Sequence, residues 1–277
     1  MYPDPLIKFF DIEIDLYSIF FFVGVVVCFV FTYFAMRKSG YSPTARDTML
    51  FIGLVAIALG LLFGIFIQSI YDYIANPAGG FQITWKMTFL GGLLGGVIVY
   101  LGVYFLYVYL INPRLKEKNL LKSDMNKGVW ELLRFVPISI TLAHAFGRIG
   151  CFCAGCCGGV PTDAWFGVQF PGDHVKTVPT QLFEAIFLFI ISAVMIFLYF
   201  KFNFKYNMTV YLIGYGIWRF IIEFFRGDDE RGQFVPGLSP SQFWSILMVI
   251  GGVVFFFLYR YFDKKFEEKK QITSEDN

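Results

Sequence analysis

The chain has 277 residues, of which 57% are hydrophobic and only 16% are charged, and it contains 36 phenylalanines. A soluble domain of this length would carry more charge and shorter apolar runs, so the composition predicts a membrane protein. The formal net charge is +2 and there is no long basic stripe, which argues against a nucleic-acid partner.

Seven apolar stretches are long enough to cross a bilayer as helices. We therefore predict an all-α polytopic membrane protein with one membrane domain, in which a small extracytoplasmic head at 148–179 carries a short strand or hairpin around AWFGVQFP. The tail at 263–277 is predicted to be solvated and frayed. The start of the chain is acidic and lacks a basic region, so we do not expect a cleaved signal peptide. The predicted spans are 17–36, 49–71, 90–111, 130–147, 180–200, 208–226 and 242–262.

Basic residues are distributed unevenly between the two sides of the predicted membrane. One side carries fifteen lysines and arginines and the other carries six. Because cytoplasmic loops are enriched in Lys and Arg, the N-terminus is predicted outside and the C-terminus in the cytoplasm. The basic side consists of loops 37–48, 112–129 and 201–207 and the tail after 259.

Two of the predicted spans are polar. The stretch YGIWRFIIEFFRGDD places Tyr215, Arg219, Glu223 and Arg226 on one helix face, and Arg219 can pair with Glu223. Arg148 lies at the predicted outer end of another span. Charges within a bilayer mark functional sites by default, although a structural salt bridge is the plain alternative. Three arginines near one membrane face predict a cradle for an anionic lipid group, since guanidinium forks match phosphate oxygens.

Two other motifs contribute small or polar residues. FLGGLLGG contains Gly91 and Gly92, which predict either close helix packing or close approach of a ligand. VPTQLFEA predicts a helix start at which Gln181 is polar and Glu184 needs a partner that an arginine could supply. His144, one turn before Arg148, is interpreted as structural, and His174 as a solvated loop residue.

Four of the five cysteines form the run C-x-C-x-x-C-C within GRIGCFCAGCCGG. A metal site is not predicted, because so short a run rarely wraps one ion. A disulfide, a thiol catalyst and plain substitution by small residues stay open. We favour substitution, with Cys151 and Cys156 lining the site and a disulfide allowed. No cofactor is predicted. The four residues are Cys151, Cys153, Cys156 and Cys157.

These motifs, in this order on seven spans, resemble the prolipoprotein diacylglyceryl transferase family. DLYSIF, FLGGLLGG and GLSPSQFWS extend the resemblance over nearly the whole chain. It implies a bacterial plasma-membrane enzyme that transfers the diacylglyceryl group of phosphatidylglycerol to the lipobox cysteine of a prolipoprotein, releasing glycerol phosphate. The implied partners are phosphatidylglycerol, the lipobox peptide and membrane lipids. The implied catalytic residues are Arg148, Arg219 and Glu223, and the implied substrate-binding residues are Tyr17, Gly91, Gly92, Cys151, Cys156, Gly159, Gln181, Tyr215 and Arg226.

The chain departs from the family pattern at polar positions. Leu90 and Val178 stand where the family has histidines, and Cys151, Ala154 and Cys156 replace two asparagines and a glutamate of its signature. The arginines could still stabilise the leaving phosphate and lower the pKa of the acceptor thiol, with Glu223 or His144 accepting the proton. Two alternatives follow from these departures. The chain could bind an anionic lipid without catalysis, or it could transfer a lipid group to another acceptor.

Overall fold

The computed structural model describes residues 7–9, 12–84, 88–111, 129–227 and 237–275. Several basic residues that set the predicted orientation, in loop 112–128 and at Lys86 and Arg231, lie outside the described residues, as does Asp228–Asp229 of the RGDD motif. The helices within the described ranges are α1 (Leu16–Lys38), α2 (Pro43–Ala75), α3 (Phe89–Leu106), α4 (Val129–Leu132), α5 (Val136–Cys153), α6 (Thr180–Phe202), α7 (Asn207–Ile222) and α8 (Pro240–Glu275).

Seven of the helices in the described part of the chain are long and apolar enough to cross a membrane. The predicted all-α polytopic fold with about seven spans is therefore confirmed. Two three-residue strands, β1 (Ile7–Phe9) and β2 (Ile12–Ile14), pair antiparallel just before α1 and were not predicted. The predicted hairpin around AWFGVQFP is replaced by isolated bridges from Thr177 to Pro161 and to Val168.

Three helices differ most from their predicted spans. α2 begins six residues earlier and ends four residues later than predicted. α5 begins and ends six residues later than predicted, because Pro137 suits the first turn of a helix and the helix then continues through Arg148 to Cys153. Residues 148–153 therefore belong to a spanning helix rather than to the head. α8 continues to Glu275 instead of fraying after 262, and this extension is rich in Lys and Glu, which favour helix.

The chain divides into two compact units, which are Met1–Thr32 with Val129–Asn277, and Tyr33–Gly128. The single-domain organisation stays a prediction. In the second unit, α2 and α3 pack along a seam of small residues. An atom added as Cβ at Gly60 would lie 2.9 Å from the Gly92 carbonyl oxygen, and one at Gly91 would lie 3.0 Å from Ile67. Gly91 and Gly92 therefore bring the two helices close together, and their contact with substrate stays a prediction.

A methyl group at Gly60 should separate these helices. We expect Gly60→Ala to lower stability by about 1–3 kcal/mol, because backbone atoms rather than a flexible side chain would have to move. Gly102→Ala is the matched control, since a Cβ there meets nothing within 4 Å. Thermal unfolding in detergent should show a lower Tm for Gly60→Ala only. Equal Tm values for the two variants would contradict the packing seam.

In the first unit, α5 packs against α6, α6 against α7, and α7 against α8. The first part of α1 lies against α5, where Thr32 and Ser139 share a hydrogen bond of 2.8 Å. At one end of the unit Arg134 binds Glu131 and the Asn203 side chain, and Asn207 donates to the Arg134 carbonyl. These four residues, the Arg134 cluster, join the helix ends there. A second group of charges lies at the other end of the unit.

Candidate functional site

Glu184 lies at the centre of the second group of charges. It is one turn into α6 and only 1% exposed. Its Oε1 lies 3.0 Å from Arg148 Nη2 of α5 and accepts a hydrogen bond of 2.7 Å from Tyr215 of α7. Its Oε2 lies 3.8 Å from Arg219 Nη1. The prediction that an arginine partners Glu184 is confirmed, and this buried carboxylate connects three helices.

Arg219 in the last turn of α7 lies on one face with Glu223 and Arg226, which follow the helix, as their spacing predicts. Arg219 Nη2 is 2.6 Å from Glu223 Oε2, so the predicted pair is confirmed. Arg226 Nε is 3.7 Å from the same oxygen. The last residues, Glu223–Phe225, form a 3-10 turn that completes this face. We call the three arginines 148, 219 and 226, with the two glutamates 184 and 223, the arginine cradle.

Two serines of α8 complete the cradle and were missing from the predicted site residues. Ser241 Oγ accepts a hydrogen bond of 2.8 Å from Arg219, and Ser239 Oγ donates one of 2.9 Å to Glu223. The signal was present in the sequence, since S-P-S-Q is a capping-box pattern. Ser239 and Gln242 do exchange backbone-to-side-chain hydrogen bonds at the start of α8. The capped helix start therefore holds the arginine and the glutamate of α7.

The cradle contains more positive than negative charge. Three guanidinium groups face two carboxylates, and their side chains are at most 17% exposed. Among the described residues, Arg148 Nε and Arg219 Nη1 find no hydrogen-bond acceptor although both atoms are buried. A buried donor without a partner is costly, so an incoming anion would gain charge-assisted hydrogen bonds here. The cradle is therefore suited to bind a phosphate group.

The cysteine-containing loop after α5 is fastened to the start of α6. Gly155 and Cys157 have φ angles of 70° and 64°, which turn the chain back sharply. The Gln181 amide donates a hydrogen bond to the Cys156 carbonyl, and Thr180 Oγ1 donates one of 3.0 Å to the Cys157 carbonyl. Gln181 therefore anchors the loop beside the cradle, and its predicted contact with substrate stays a prediction.

Three of the thiols in this run interact with one another. Hydrogen bonds from the thiols of Cys151 and Cys156 lower the pKa of the Cys157 thiol, and the charges of Arg226 and Arg148 lower it further. The same sharing of hydrogen bonds raises the pKa of Cys156. All five cysteines are unpaired in the structure, and the described residues contain no group of three or more side chains arranged to hold a metal ion.

This arrangement predicts unusual alkylation chemistry at Cys157. A thiol of ordinary pKa, about 8.5, ionises only as the pH approaches that value, whereas Cys157, whose pKa is lowered, should ionise at lower pH. We expect its labelling by iodoacetamide, followed by peptide mass spectrometry, to rise at lower pH than that of an ordinary thiol. Labelling of Cys156 should stay low as Cys157 becomes labelled, because its pKa is raised. Parallel pH profiles for the two cysteines would contradict the shared hydrogen bonds.

Two other predicted residues lie close to the cradle. Gly159 pairs with Arg226 in a short main-chain bridge, and a Cβ there would collide with the Phe225 carbonyl oxygen. Tyr17 of α1 is 38% exposed and contacts α5, where a Cβ at Gly150 would be 3.2 Å from its ring. Their roles toward substrate stay predictions. Gly159 is needed structurally because no side chain fits between the head segment and the end of α7.

The two histidines have different surroundings. His144 Nε2 lies 3.8 Å from Glu184 Oε1, and the imidazole ring packs edge-to-face on Tyr215 with centroids 5.0 Å apart. His174 is exposed in the head segment. His144 thus lies beside Arg148 and Glu184, and its interpretation as a structural residue stays a prediction.

Comparisons with known proteins identify the family of the chain. Residues 5–258 match the family model described as Prolipoprotein diacylglyceryl transferase. A phosphatidylglycerol–prolipoprotein diacylglyceryl transferase of Clostridium tetani is 30% identical over 265 residues, which cover 92% of this chain and 97% of the relative. A Pasteurella multocida protein of the same name is 31% identical over 83% of this chain and 81% of its own length. The chain is thus a multi-pass protein of the bacterial inner membrane and belongs to the prolipoprotein diacylglyceryl transferase family.

Proposed function

We propose that this chain transfers the diacylglyceryl group of phosphatidylglycerol to the lipobox cysteine thiol of a prolipoprotein. This proposal rests on the arginine cradle, in which buried N–H groups of Arg148 and Arg219 find no acceptor among the described residues. The names of the relatives, which are phosphatidylglycerol–prolipoprotein diacylglyceryl transferases, support the same substrates. The reaction belongs to the maturation of lipoproteins.

The chemistry requires a negative charge to be stabilised as it develops. The acceptor thiolate attacks the terminal glyceryl carbon, an S–C bond forms, and the C–O bond to the phosphate breaks. The electron pair leaves with glycerol phosphate, so charge increases on the phosphate oxygens. Arg148 and Arg219 are proposed as the catalytic residues that hold these oxygens, because preorganised charged donors in a dry site stabilise such a transition state strongly.

The other residues of the site are proposed to position these two arginines and the substrates. Glu223 holds Arg219 at 2.6 Å and is itself held by Ser239. Glu184 orients Arg148 and Tyr215 in the same way. Arg226 adds a third positive charge beside Glu223. The exposed Tyr17 ring, the Cys151 and Cys156 thiols and Gly159 are proposed to line the path of the substrates toward these groups.

We also propose that the N-terminus lies outside and the C-terminus in the cytoplasm. The excess of lysines and arginines in loops 37–48, 112–129 and 201–207 and in the tail supports this orientation. The cradle would then open toward the outer side of the membrane. Single cysteines introduced at Ser39 and at Asp173, in a chain whose five native cysteines are replaced by serine, are labelled with a membrane-impermeant maleimide in intact spheroplasts. Reaction at position 173 alone is expected, and reaction at position 39 alone would reverse the orientation.

Reconstitution of the full chain tests the transfer itself. The purified protein is placed in vesicles containing phosphatidylglycerol with labelled acyl chains, together with a lipobox peptide, and the peptide is analysed by mass spectrometry. We expect the peptide mass to increase by one diacylglyceryl group and glycerol phosphate to be released. Vesicles of phosphatidylcholine alone are the control. Bound lipid with unmodified peptide would favour the lipid-binding alternative, and label on Cys151 or Cys156 would indicate a different acceptor.

A further inference from the structure

Transfer to a thiol requires a group that removes the thiol proton, because the thiolate is the nucleophile. This group must reach the acceptor beside the cradle and must be able to take up a proton. The guanidinium groups of Arg148, Arg219 and Arg226 are permanently protonated and cannot do so. The base must therefore be another polar group of the site, and it must have a free acceptor atom.

The carboxylates of the site are already engaged by positive charge. Glu184 Oε1 is held by Arg148 at 3.0 Å and by the Tyr215 hydroxyl at 2.7 Å. Glu223 Oε2 lies 2.6 Å from Arg219 Nη2 and 3.7 Å from Arg226 Nε, and its Oε1 accepts a hydrogen bond of 2.9 Å from Ser239. Both carboxylates therefore already pair with guanidinium charge. The Cys157 thiolate is a weak base, because its pKa is lowered by hydrogen bonds from Cys151 and Cys156.

His144 is different because its imidazole makes no hydrogen bond with any residue that the structure describes. Nε2 lies 3.8 Å from Glu184 Oε1, beyond hydrogen-bond distance, so this carboxylate acts on the ring through its charge. In a neutral imidazole one of the two ring nitrogens is an acceptor. The side chain is 16% exposed, so the ring is not sealed from a ligand. The charged and titratable groups around it come from three helices: Arg148 of α5, Glu184 of α6, and Tyr215 and Arg219 of α7.

We propose that His144 is the general base that deprotonates the acceptor thiol, with Glu184 positioning its imidazole. This inference rests on the proposed transferase function and assigns a further catalytic residue to it. Imidazole is the side chain best suited to exchange a proton near neutral pH. The arrangement of acceptor thiol, histidine and carboxylate follows the general pattern of nucleophile, base and orienting group.

The step balances in protons and electrons. The S–H proton moves to the unprotonated ring nitrogen of His144, and the sulfur attacks the glyceryl carbon with the electron pair left on it. The C–O bond breaks and glycerol phosphate departs with that bond's electron pair, toward Arg148 and Arg219. The imidazolium formed at His144 lies beside the Glu184 carboxylate, which stabilises the new charge, and it returns its proton to water before the next turnover.

The test compares His144→Gln with His174→Gln, because the chain has two histidines and the second is exposed in the head segment. Transfer to the lipobox peptide is measured from pH 6 to 9. We expect kcat/KM of His144→Gln to fall by about 10²–10⁴-fold near pH 7. The defect should shrink toward pH 9, where the thiol ionises without help, since its pKa is about 8.5. His174→Gln should match the wild type throughout.

A selenocysteine acceptor peptide gives a second measurement that does not depend on pH. Selenols ionise far more readily than thiols, so this peptide should restore most of the rate of His144→Gln. A defect of equal size at every pH and with both peptides would show a structural role and overturn the inference, as would a normal rate. Wild-type protein that modifies neither peptide would instead overturn the proposed function, and the inference with it.

If His144→Gln fails to fold, Glu184→Gln supplies the alternative measurement. Without the carboxylate the imidazolium is less stable, so the acid limb of the pH profile should move to lower pH. An acid limb that stays where the wild type has it would overturn the positioning of His144 by Glu184. Activity on the selenocysteine peptide in the same variant should be less affected than activity on the thiol peptide.

Discussion

Arg219→Gln should reduce the rate of diacylglyceryl transfer by about 10²–10³-fold while the protein still inserts and folds. This magnitude follows from the loss of one preorganised donor to a developing anion. Arg219 already has its Nη2 on Glu223 and Ser241, and its Nη1 is left for a ligand. The rate is measured with labelled phosphatidylglycerol vesicles and a lipobox peptide, and folding is checked by thermal unfolding in detergent.

Arg134→Gln is the matched control for this prediction. Arg134 is also a shielded, carboxylate-paired arginine of the first unit, but it belongs to the Arg134 cluster and not to the cradle. Its substitution should affect Tm without a comparable loss of rate per folded molecule. Arg219→Lys should have a transfer rate between those of the wild type and Arg219→Gln, because the positive charge remains and the planar guanidinium fork is lost. Normal transfer by Arg219→Gln would contradict a phosphate-binding role of the cradle.

Glu184→Ala should produce the largest loss of stability among the substitutions considered. It leaves the Arg148 guanidinium, the Tyr215 hydroxyl and part of Arg219 without their shared acceptor in a site where the carboxylate is 1% exposed. Breaking a buried ion pair by removing one partner costs about 3–5 kcal/mol. For a protein of this size we expect Tm in detergent to fall by on the order of 10 °C.

Two further variants separate charge from packing at Glu184. Glu131→Ala removes the partner of Arg134. It should lower Tm less than Glu184→Ala does, because the Glu131 side chain is 22% exposed. The double variant Arg148→Met with Glu184→Gln removes both charges and keeps an oxygen for Tyr215. It should recover part of the lost Tm but not the activity. A Tm of Glu184→Ala equal to that of wild type would contradict the central role of this carboxylate.

Local spacing predicted the part of the site that lies on one helix. Arg219, Glu223 and Arg226 recur at helical intervals, so their common face follows from the periodicity alone. The start of α6 after Pro179 is likewise predictable, because proline is favoured at the beginning of a helix. The contacts of Ser239 and Ser241 with α7 could not be predicted this way, because they join residues 16 and 22 positions apart. The sequence showed the capping pattern of these serines, but it did not show which helix they contact.

Hydropathy also misplaced the end of α5. Hydropathy alone ends the span before Arg148, since an arginine is unfavourable in a bilayer. In the structure Glu184 of α6 pairs with this arginine, and the helix continues to Cys153. The boundary therefore depends on a partner that lies far along the chain, on the next spanning helix. The same long-range pairing gave His144 its neighbours, which its own helix did not reveal.

The pairing of the arginines with glutamates has a consequence for turnover. Arg148 lies on Glu184 and Arg219 lies on Glu223. Each carboxylate competes with a bound phosphate for the same guanidinium, which weakens the hold on glycerol phosphate once the transfer is complete. Product inhibition by glycerol phosphate should therefore be modest, and the two glutamates keep the enzyme from being trapped by its own leaving group.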